Sequence, residues 1–361
     1  MSGSKRHLLD RSSTRAILDC GTTLALALVL VVLAVAPARA GSDERQGTAG
    51  AGELKIPIGP RSTALGGTTV ADAYGAEAIY WNPAGLGGQT GTAAYFSHLG
   101  YIADMDVNYF ALVTKVGSFG SLGFSAKVLD VGDVVVTTEE APDGTGDIIS
   151  PTFSILGLTY ARQFTDKVRF GATAQFVNET VANARARGVA FDFGFQYDTG
   201  YNGLVFGFVM KNLGSSMQFS GSDFEVNVPI PDAEPGSSQR TLGATAATFE
   251  MPSYFQMGLS YDLMRHENNQ LKLLGTFMSN NFTPDEFRGG AEYMYKNQFA
   301  LRAGYGQRVS SSENDVYNGF SWGAGVNVGL GSASRLRFDY ANRMVRDYFD
   351  DTHEFAVGLN F

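Results

Sequence analysis

Across the last three quarters of the chain, apolar residues alternate with polar or small ones in stretches of roughly ten, separated by turn-forming residues. Val189, Phe191, Phe193, Phe195 and Tyr197 oppose Gly188, Ala190, Asp192, Gly194 and Gln196. Phe320, Trp322, Ala324, Val326 and Val328 oppose Ser321, Gly323, Gly325, Asn327 and Gly329, and Phe299, Leu301, Ala303 and Tyr305 oppose Ala300, Arg302, Gly304 and Gly306. A period of two is that of a β-strand, whose successive side chains point to opposite faces, and helical periodicity is absent from these stretches. The pattern predicts strands over 92–99, 106–116, 121–130, 151–163, 167–179, 188–198, 203–213, 253–264, 270–278, 286–296, 298–307, 319–330, 335–344 and 353–361.

The connections sort into two kinds. Gly117-Ser118-Phe119-Gly120, Tyr201-Asn202-Gly203 and Lys296-Asn297 are tight turns, whereas 131–150, 214–252 and 307–318 are long polar excursions rich in Gly, Ser, Asp and Pro. An even set of about fourteen strands, short turns at one end and long loops at the other point to an all-β membrane protein. The expected architecture is a transmembrane antiparallel β-barrel whose apolar face meets lipid. Tyr197, Tyr305, Tyr340 and Phe361 fall near strand ends, where interfacial girdles lie. A soluble all-β sandwich is the competing architecture. The final strand places Phe355, Val357, Leu359 and Phe361 on one face and Glu354, Gly358 and Asn360 on the other. Ending on an aromatic, it resembles the assembly signal of bacterial outer-membrane proteins.

The amino-terminal segment is consistent with that destination. Lys5, Arg6, Arg11 and Arg15 precede an apolar run over residues 24–36, too short to span a bilayer, and Ala38-Arg39-Ala40 supplies a cleavage site. The expected division is a cleaved signal peptide (1–40), an extension and plug segment (41–90), and a transmembrane barrel (91–361), located in the bacterial outer membrane. Cys20 would leave with the signal, excluding disulfides and thiol chemistry from the mature protein. Removing residues 1–40 takes away five basic and two acidic residues, moving the net charge from −9 to −12. So acidic a chain is no candidate for nucleic-acid binding. Charged residues are only 17%, against about a quarter in soluble domains, and 44 of 361 residues are glycine.

Before the first strand the alternation fails. Gly59-Pro-Arg-Ser-Thr-Ala-Leu-Gly-Gly67 and Ala76-Glu-Ala-Ile-Tyr-Trp-Asn-Pro-Ala-Gly85 mix small and polar residues ahead of an Asn-Pro turn, which reads as short helices and turns folded inward as a plug. Gly66, Gly67, Trp81, Asn82, Pro83, Ala84 and Gly85 are its structural motif. This stretch resembles the amino-terminal region of the PorV/PorQ family, outer-membrane relatives of the FadL fatty-acid transporters, which share a related Asn-Pro-Ala segment. Val131-Gly-Asp133, Leu158-Thr-Tyr-Ala-Arg162, Asp166-Lys-Val-Arg-Phe-Gly-Ala172, Lys211-Asn-Leu-Gly214 and Pro252-Ser-Tyr-Phe-Gln-Met-Gly-Leu-Ser-Tyr261 extend the resemblance over most of residues 55–361. It implies a fourteen-stranded FadL-like barrel and a non-catalytic role in type IX secretion and surface attachment, binding the carboxy-terminal sorting domains of secreted cargo. The alternative is a FadL-like transporter of hydrophobic small molecules. Expected partners are outer-membrane lipids, the barrel-assembly machinery, and either cargo and secretion components or apolar small molecules.

Chemistry-bearing motifs are sparse. His7, His98, His266 and His353 lack metal-ligand spacing, and neither His98 nor His353 has a recognisable partner as a base. No enzyme activity, metal or cofactor is expected. Gly66-Gly67 and Gly87-Gly88 lack the context of a phosphate loop and suit close packing of a plug. Asp133, Glu139, Glu140, Asp143 and Asp147 do not have EF-hand spacing and read as a solvated loop. Alternation directs Arg169, Asp192, Arg288, Glu292, Arg302, Arg337 and Asp339 into the lumen, since Arg or Lys at mid-membrane on the lipid face would cost about 2–4 kcal/mol. These charges suit either a salt-bridge network tying plug to barrel or a substrate path. Met210 and Met217 with Phe219 suit an apolar rim pocket or a loop packed on the rim.

Overall fold

The computed structural model describes residues 45, 47–228, 240–309, 316–331, 334–346 and 349–361. The expected signal peptide, residues 1–40, lies outside them. Fourteen long antiparallel strands form one ring: β1 (Thr92–Gly100), β2 (Asp106–Val116), β3 (Gly120–Asp130), β4 (Thr152–Gln163), β5 (Val168–Val181), β6 (Ala184–Asp198) and β7 (Val205–Gly214). The ring continues with β8 (Tyr254–Arg265), β9 (Asn269–Asn280), β10 (Glu286–Tyr295), β11 (Phe299–Arg308), β12 (Tyr317–Leu330), β13 (Ser334–Val345) and β14 (Thr352–Asn360). Each strand pairs with its sequence neighbour, and β14 closes the ring on β1, with Phe355 opposite His98 and Val357 opposite Phe96. Closure removes every free edge of the main sheet.

The alternation resolves into an outside and an inside. Phe110, Leu112, Leu122, Leu156, Phe193, Met257, Leu301, Trp322 and Phe355 all project outward and are exposed. A continuous apolar outer band of this kind is a surface for hydrocarbon rather than water, which disposes of the sandwich. No helix among the described residues is long and apolar enough to cross a membrane. Strand bounds agree with the sequence pattern to within a residue or two, except that β6 begins at Ala184 rather than 188. Here buried Ala184 and Ala186 alternate with exposed Arg185 and Arg187, so the pleat continues but its faces are inverted in hydrophobicity at the rim. The three tight turns lie at one end of the barrel and the long loops at the other. The long-loop end also carries a two-residue hairpin, Ala182-Asn183, with Ala182 at φ 50°.

The lumen is filled by the chain segment preceding β1. Two short helices, α1 (Pro60–Ala64) and α2 (Ala78–Trp81), and tight helical turns over Gly52–Lys55, Gly75–Glu77 and Pro83–Gly88 make up this plug.

Candidate functional site

The plug enters at the long-loop end, where the amide of Gly50 donates to the carbonyl of Glu250 (3.1 Å), and leaves at the short-turn end, where that of Thr92 donates to Phe361 (2.8 Å). It therefore threads the whole lumen. Asn82 is its pivot: Oδ1 accepts from the amide of Ala84 at 3.1 Å, capping the turn over Pro83–Gly88, while Nδ2 donates to Val70 O at 2.7 Å and Phe195 O on β6 at 3.1 Å. A neutral side chain thus satisfies backbone groups that the irregular segment cannot pair by itself. Trp81 Nε1 donates to Ile58 O at 2.7 Å, joining the two halves of the plug. The wall admits this backbone through glycines. A Cβ on Gly194 would lie 2.0 Å from Asn82 Oδ1, and one on Gly304 would lie 2.2 Å from the nitrogen of Gly66, which itself has φ 69°.

Strands β9 to β13 present a charged wall to the plug. Arg61 of α1 donates to Glu292 of β10 through Nε (3.1 Å to Oε1) and Nη2 (2.8 Å to Oε2), and also to Asp72 of the plug. Glu292 accepts from Arg302 Nε at 2.7 Å, Arg302 Nη1 reaches Asp339 at 2.6 Å, and Arg337 bridges Asp339 to Glu77 of the plug. Lys272 of β9 meets Asp72 at 2.6 Å. Four of the seven charges expected in the lumen, Glu292, Arg302, Arg337 and Asp339, thus form one chain of ion pairs with three plug residues. Burial makes each link costly to break singly, because its partner is left charged in a low-dielectric interior.

The other three stand apart. Asp192 pairs with Lys211 at 3.2 Å beside a register shift between β6 and β7, also accepting from Gln175 Nε2 (2.6 Å) and the amide of Asn212 (2.8 Å). Arg288 pairs with Glu286 near the long-loop mouth (2.6 Å). Arg169 packs its side chain against Gly87 and Gly88 at the short-turn end of the plug. Several inward groups were not singled out in the sequence. Lys127 of β3 donates to Glu53 O (2.7 Å) and Ile56 O (2.6 Å), Lys211 reaches Tyr80 O, and Glu354 of β14 accepts from Gly59 N and Thr63 Oγ1. The same period-two pattern marks Lys127, Lys211, Lys272 and Glu354. No period marks Arg61, Asp72 and Glu77, which lie in the irregular plug.

Along β1 to β6 the contact between plug and wall is mainly apolar. One cluster packs Ile56, Ile58, Ile79, Trp81 and Leu86 of the plug against Tyr95, Leu99, Val107, Tyr109, Val113 and Ala161. A second packs Ala51 and Leu54 against Ile155, Val177, Ala186, Met217 and Met251, with Phe219 and Phe249 at its edge. Met217 and Phe219 therefore belong to a loop packed on the rim. Met210, by contrast, is half exposed on the outer side of β7, because it lies on the lipid-facing alternation of that strand. A void of about 20 Å³ lies between the clusters, bounded by Leu54, Ile155, Ile79 and Tyr109 but also by Lys127, Gln175 and the Asp192–Lys211 pair.

A larger cavity of about 280 Å³ opens above the plug at the long-loop mouth, between Lys55 and Tyr254 on one side and Arg288, Arg308, Tyr317 and Arg343 on the other. Burial pushes the Lys55 ammonium down to about 8; Arg288 and Arg308 act in the same direction and Glu286 opposes them. The histidines stand apart: His98 meets Asn108 (3.0 Å) and His353 meets the Tyr340 hydroxyl (2.8 Å). Among the described residues no group of His, Cys, Asp and Glu is placed to hold a metal ion. The loop acids Asp133 and Asp147 bond to Ser150 and Thr145 beside a small ribbon, Val134–Val135 with Ile148–Ile149.

No family model matches the sequence, and no curated protein matches it. Among solved structures the chain is similar to CymD, a monoaromatic hydrocarbon channel (14% identity, TM-score 0.55, covering 85% of this chain and 98% of that one). It is also similar to TbuX, the toluene transporter of Ralstonia pickettii (14%, TM-score 0.54, 84% and 98%), and to a FadL homologue of Pseudomonas aeruginosa (12%, TM-score 0.50, 85% and 98%). At these identities the likeness is one of fold: a FadL-like barrel of the outer-membrane type. None of these three structures is of a PorV or PorQ protein.

Proposed function

We propose that the protein is a non-catalytic outer-membrane channel for small apolar molecules, gated by its plug. The observation that carries this reading is the apolar seam along β1 to β6. It runs from Met217 and Met251 at the rim, past the void beside Leu54 and Ile79, to Leu86 and Ala161 deeper in the lumen. A modest shift of the plug toward the charged wall would open a route lined mainly by aliphatic and aromatic side chains, with Lys127 and the Asp192–Lys211 pair as a polar step within it, while the ion pairs on β9 to β13 serve as its hinge side. Barrels of the same fold include hydrocarbon channels and toluene transporters, which favours this use of the seam over cargo binding. The terminal strand, with Phe355, Val357, Leu359 and Phe361 outward, would direct assembly into the outer membrane.

A reversible lock on the plug tests this. A Cβ on Gly87 would lie 3.3 Å from that of Arg169, close to the span a disulfide bridges. In Gly87→Cys/Arg169→Cys, uptake of radiolabelled toluene by cells is expected to fall to the vector level when oxidised and to recover on reduction. Equal uptake in both states would sink the gate, and uptake no higher than in cells lacking the protein would sink transport itself.

A second reading, a PorV/PorQ-like component that holds secreted cargo, has one observation in its favour. The ribbons Val134–Val135 with Ile148–Ile149 and Glu225–Val228 with Arg240–Gly243 present Val135, Ile148, Val226 and Leu242 exposed at the long-loop end, where a β-rich partner could add a strand. Stoichiometric co-purification of secreted proteins sharing a carboxy-terminal domain would establish it in place of transport.

A further inference from the structure

The cavity at the mouth has a charge that neither plug gating nor apolar transport requires. Among the described residues five cations line it, Lys55, Arg288, Arg308, Arg343 and Arg346, with one carboxylate, Glu286. Glu286 is committed to Arg288 (3.0 and 2.6 Å) and Arg308 (3.4 Å). Lys55 has neutral oxygen partners, Asn280 Oδ1 at 3.0 Å and Thr283 Oγ1 at 2.9 Å. The Arg343 guanidinium lies 3.5 Å over the ring of Tyr317. Among the described residues neither Arg343 nor Arg346 meets a carboxylate. Lys55, Arg343 and Arg346 thus gather positive charge at one mouth of a chain whose net charge is −9.

We infer that this vestibule is a binding site for a small dianion, a phosphate monoester or a dicarboxylate, held by Lys55, Arg343 and Arg346 with the tyrosine rings flanking its body. Stacking on Tyr317 fixes the plane of Arg343 while leaving its in-plane N–H groups free, the geometry that suits two-pronged hydrogen bonding to phosphate or carboxylate oxygens. Low-dielectric walls of plug and barrel concentrate the field of the clustered cations and raise the local concentration of anions. Lys55, Arg343 and Arg346 meet no carboxylate among the described residues, so a single negative charge on a ligand leaves these three under-compensated and a double one suits them better. The small volume limits the ligand to a compact molecule. Lys55 belongs to the plug whereas Arg343 and Arg346 belong to the wall, so a bound dianion would also bridge the two. The inference goes beyond the transport reading and stands whether or not the barrel conducts.

The test is calorimetric titration of the purified, detergent-solubilised barrel with phenyl phosphate, succinate and inorganic phosphate, with benzyl alcohol as a neutral control. Saturable binding of phenyl phosphate or succinate is expected at pH 7, weakening at least tenfold in Arg343→Gln/Arg346→Gln and weakening as pH rises past 8 in the wild type. Heat-modifiable gel mobility confirms that the variant barrel is folded, and Lys55→Met provides a second site change on the plug side. Absence of saturable binding by any of the three anions, affinity unchanged in both variants, or equal binding of benzyl alcohol would overturn the assignment. Toluene uptake is read separately, so loss of one function does not decide the other.

Discussion

Arg61 on the plug and Glu292 on β10, 231 residues apart in sequence, form a two-pronged ion pair with both side chains almost wholly buried. The pair does more to set where the plug sits than to stabilise it, since the desolvation of both charges offsets much of their attraction. Its removal from one side only is a different matter. In Glu292→Gln, Arg61 retains Asp72 and Arg302 retains Asp339, so the loss should fall near the lower end of the roughly 3–5 kcal/mol typical of a broken buried pair. Urea unfolding in detergent gives the stability, and planar-bilayer recording should show new conductance as the plug loosens.

Gly194 and Asn82 are expected to be coupled. Gly194→Ala drives a methyl group into Asn82 Oδ1 and Pro83, and should exceed the ~1–3 kcal/mol of ordinary overpacking because it also displaces the plug's hydrogen bonds. Asn82→Ala loses those bonds but clears the space. The double variant should therefore be more stable than the sum of the single losses predicts. Additive losses in a double-mutant cycle would mean that the two residues do not meet.

Lys127→Met leaves the carbonyl of Ile56 without its donor, at about 1–3 kcal/mol, whereas Glu53 O keeps the Ile56 amide (3.3 Å). The penalty is local. Amide exchange over residues 52–58 should accelerate by tenfold or more while the wall strands keep their protection.

Lys55 gives the plug a pH dependence of definite sign. It titrates near 8 when folded against 10.5 ordinarily, so between those values the unfolded chain holds a proton that the folded one lacks. Stability should rise with pH through that window and be insensitive to this group below it. Facing Lys55 are Glu286, Arg288, Arg308 and the ring of Tyr254, with Asp285 bonded to the neighbouring Asn280 amide. Comparing urea midpoints of wild type and Lys55→Met at pH 7 and pH 10 isolates the effect. A difference that stays constant with pH would refute it.

Phe110, midway along β2 and exposed outward, separates a lipid-facing wall from a water-facing one. Phe110→Arg should cost about 2–4 kcal/mol on folding into vesicles. On a soluble surface the same change would fall within about 0.5 kcal/mol.

What the amino-acid sequence determined by itself is the wall. Period two is a local property of a pleated strand, so the faces of β6, β11 and β12 are legible without knowing their neighbours, and only the rim of β6 escaped because its Ala-Arg alternation puts polar residues outward. The inward direction of Asp192, Glu292, Arg302 and Asp339 followed from the same rule. Their partners did not. Arg61, Asp72 and Glu77 sit in a segment without periodicity, and only closure of the ring around that segment decides that Arg61 meets Glu292 or that Lys127 meets Glu53 O. The cationic mouth is likewise a tertiary product. Lys55, Arg308, Arg343 and Arg346 come from the plug and from two non-adjacent strand ends, and their repulsion is visible only when the barrel brings them to one cavity.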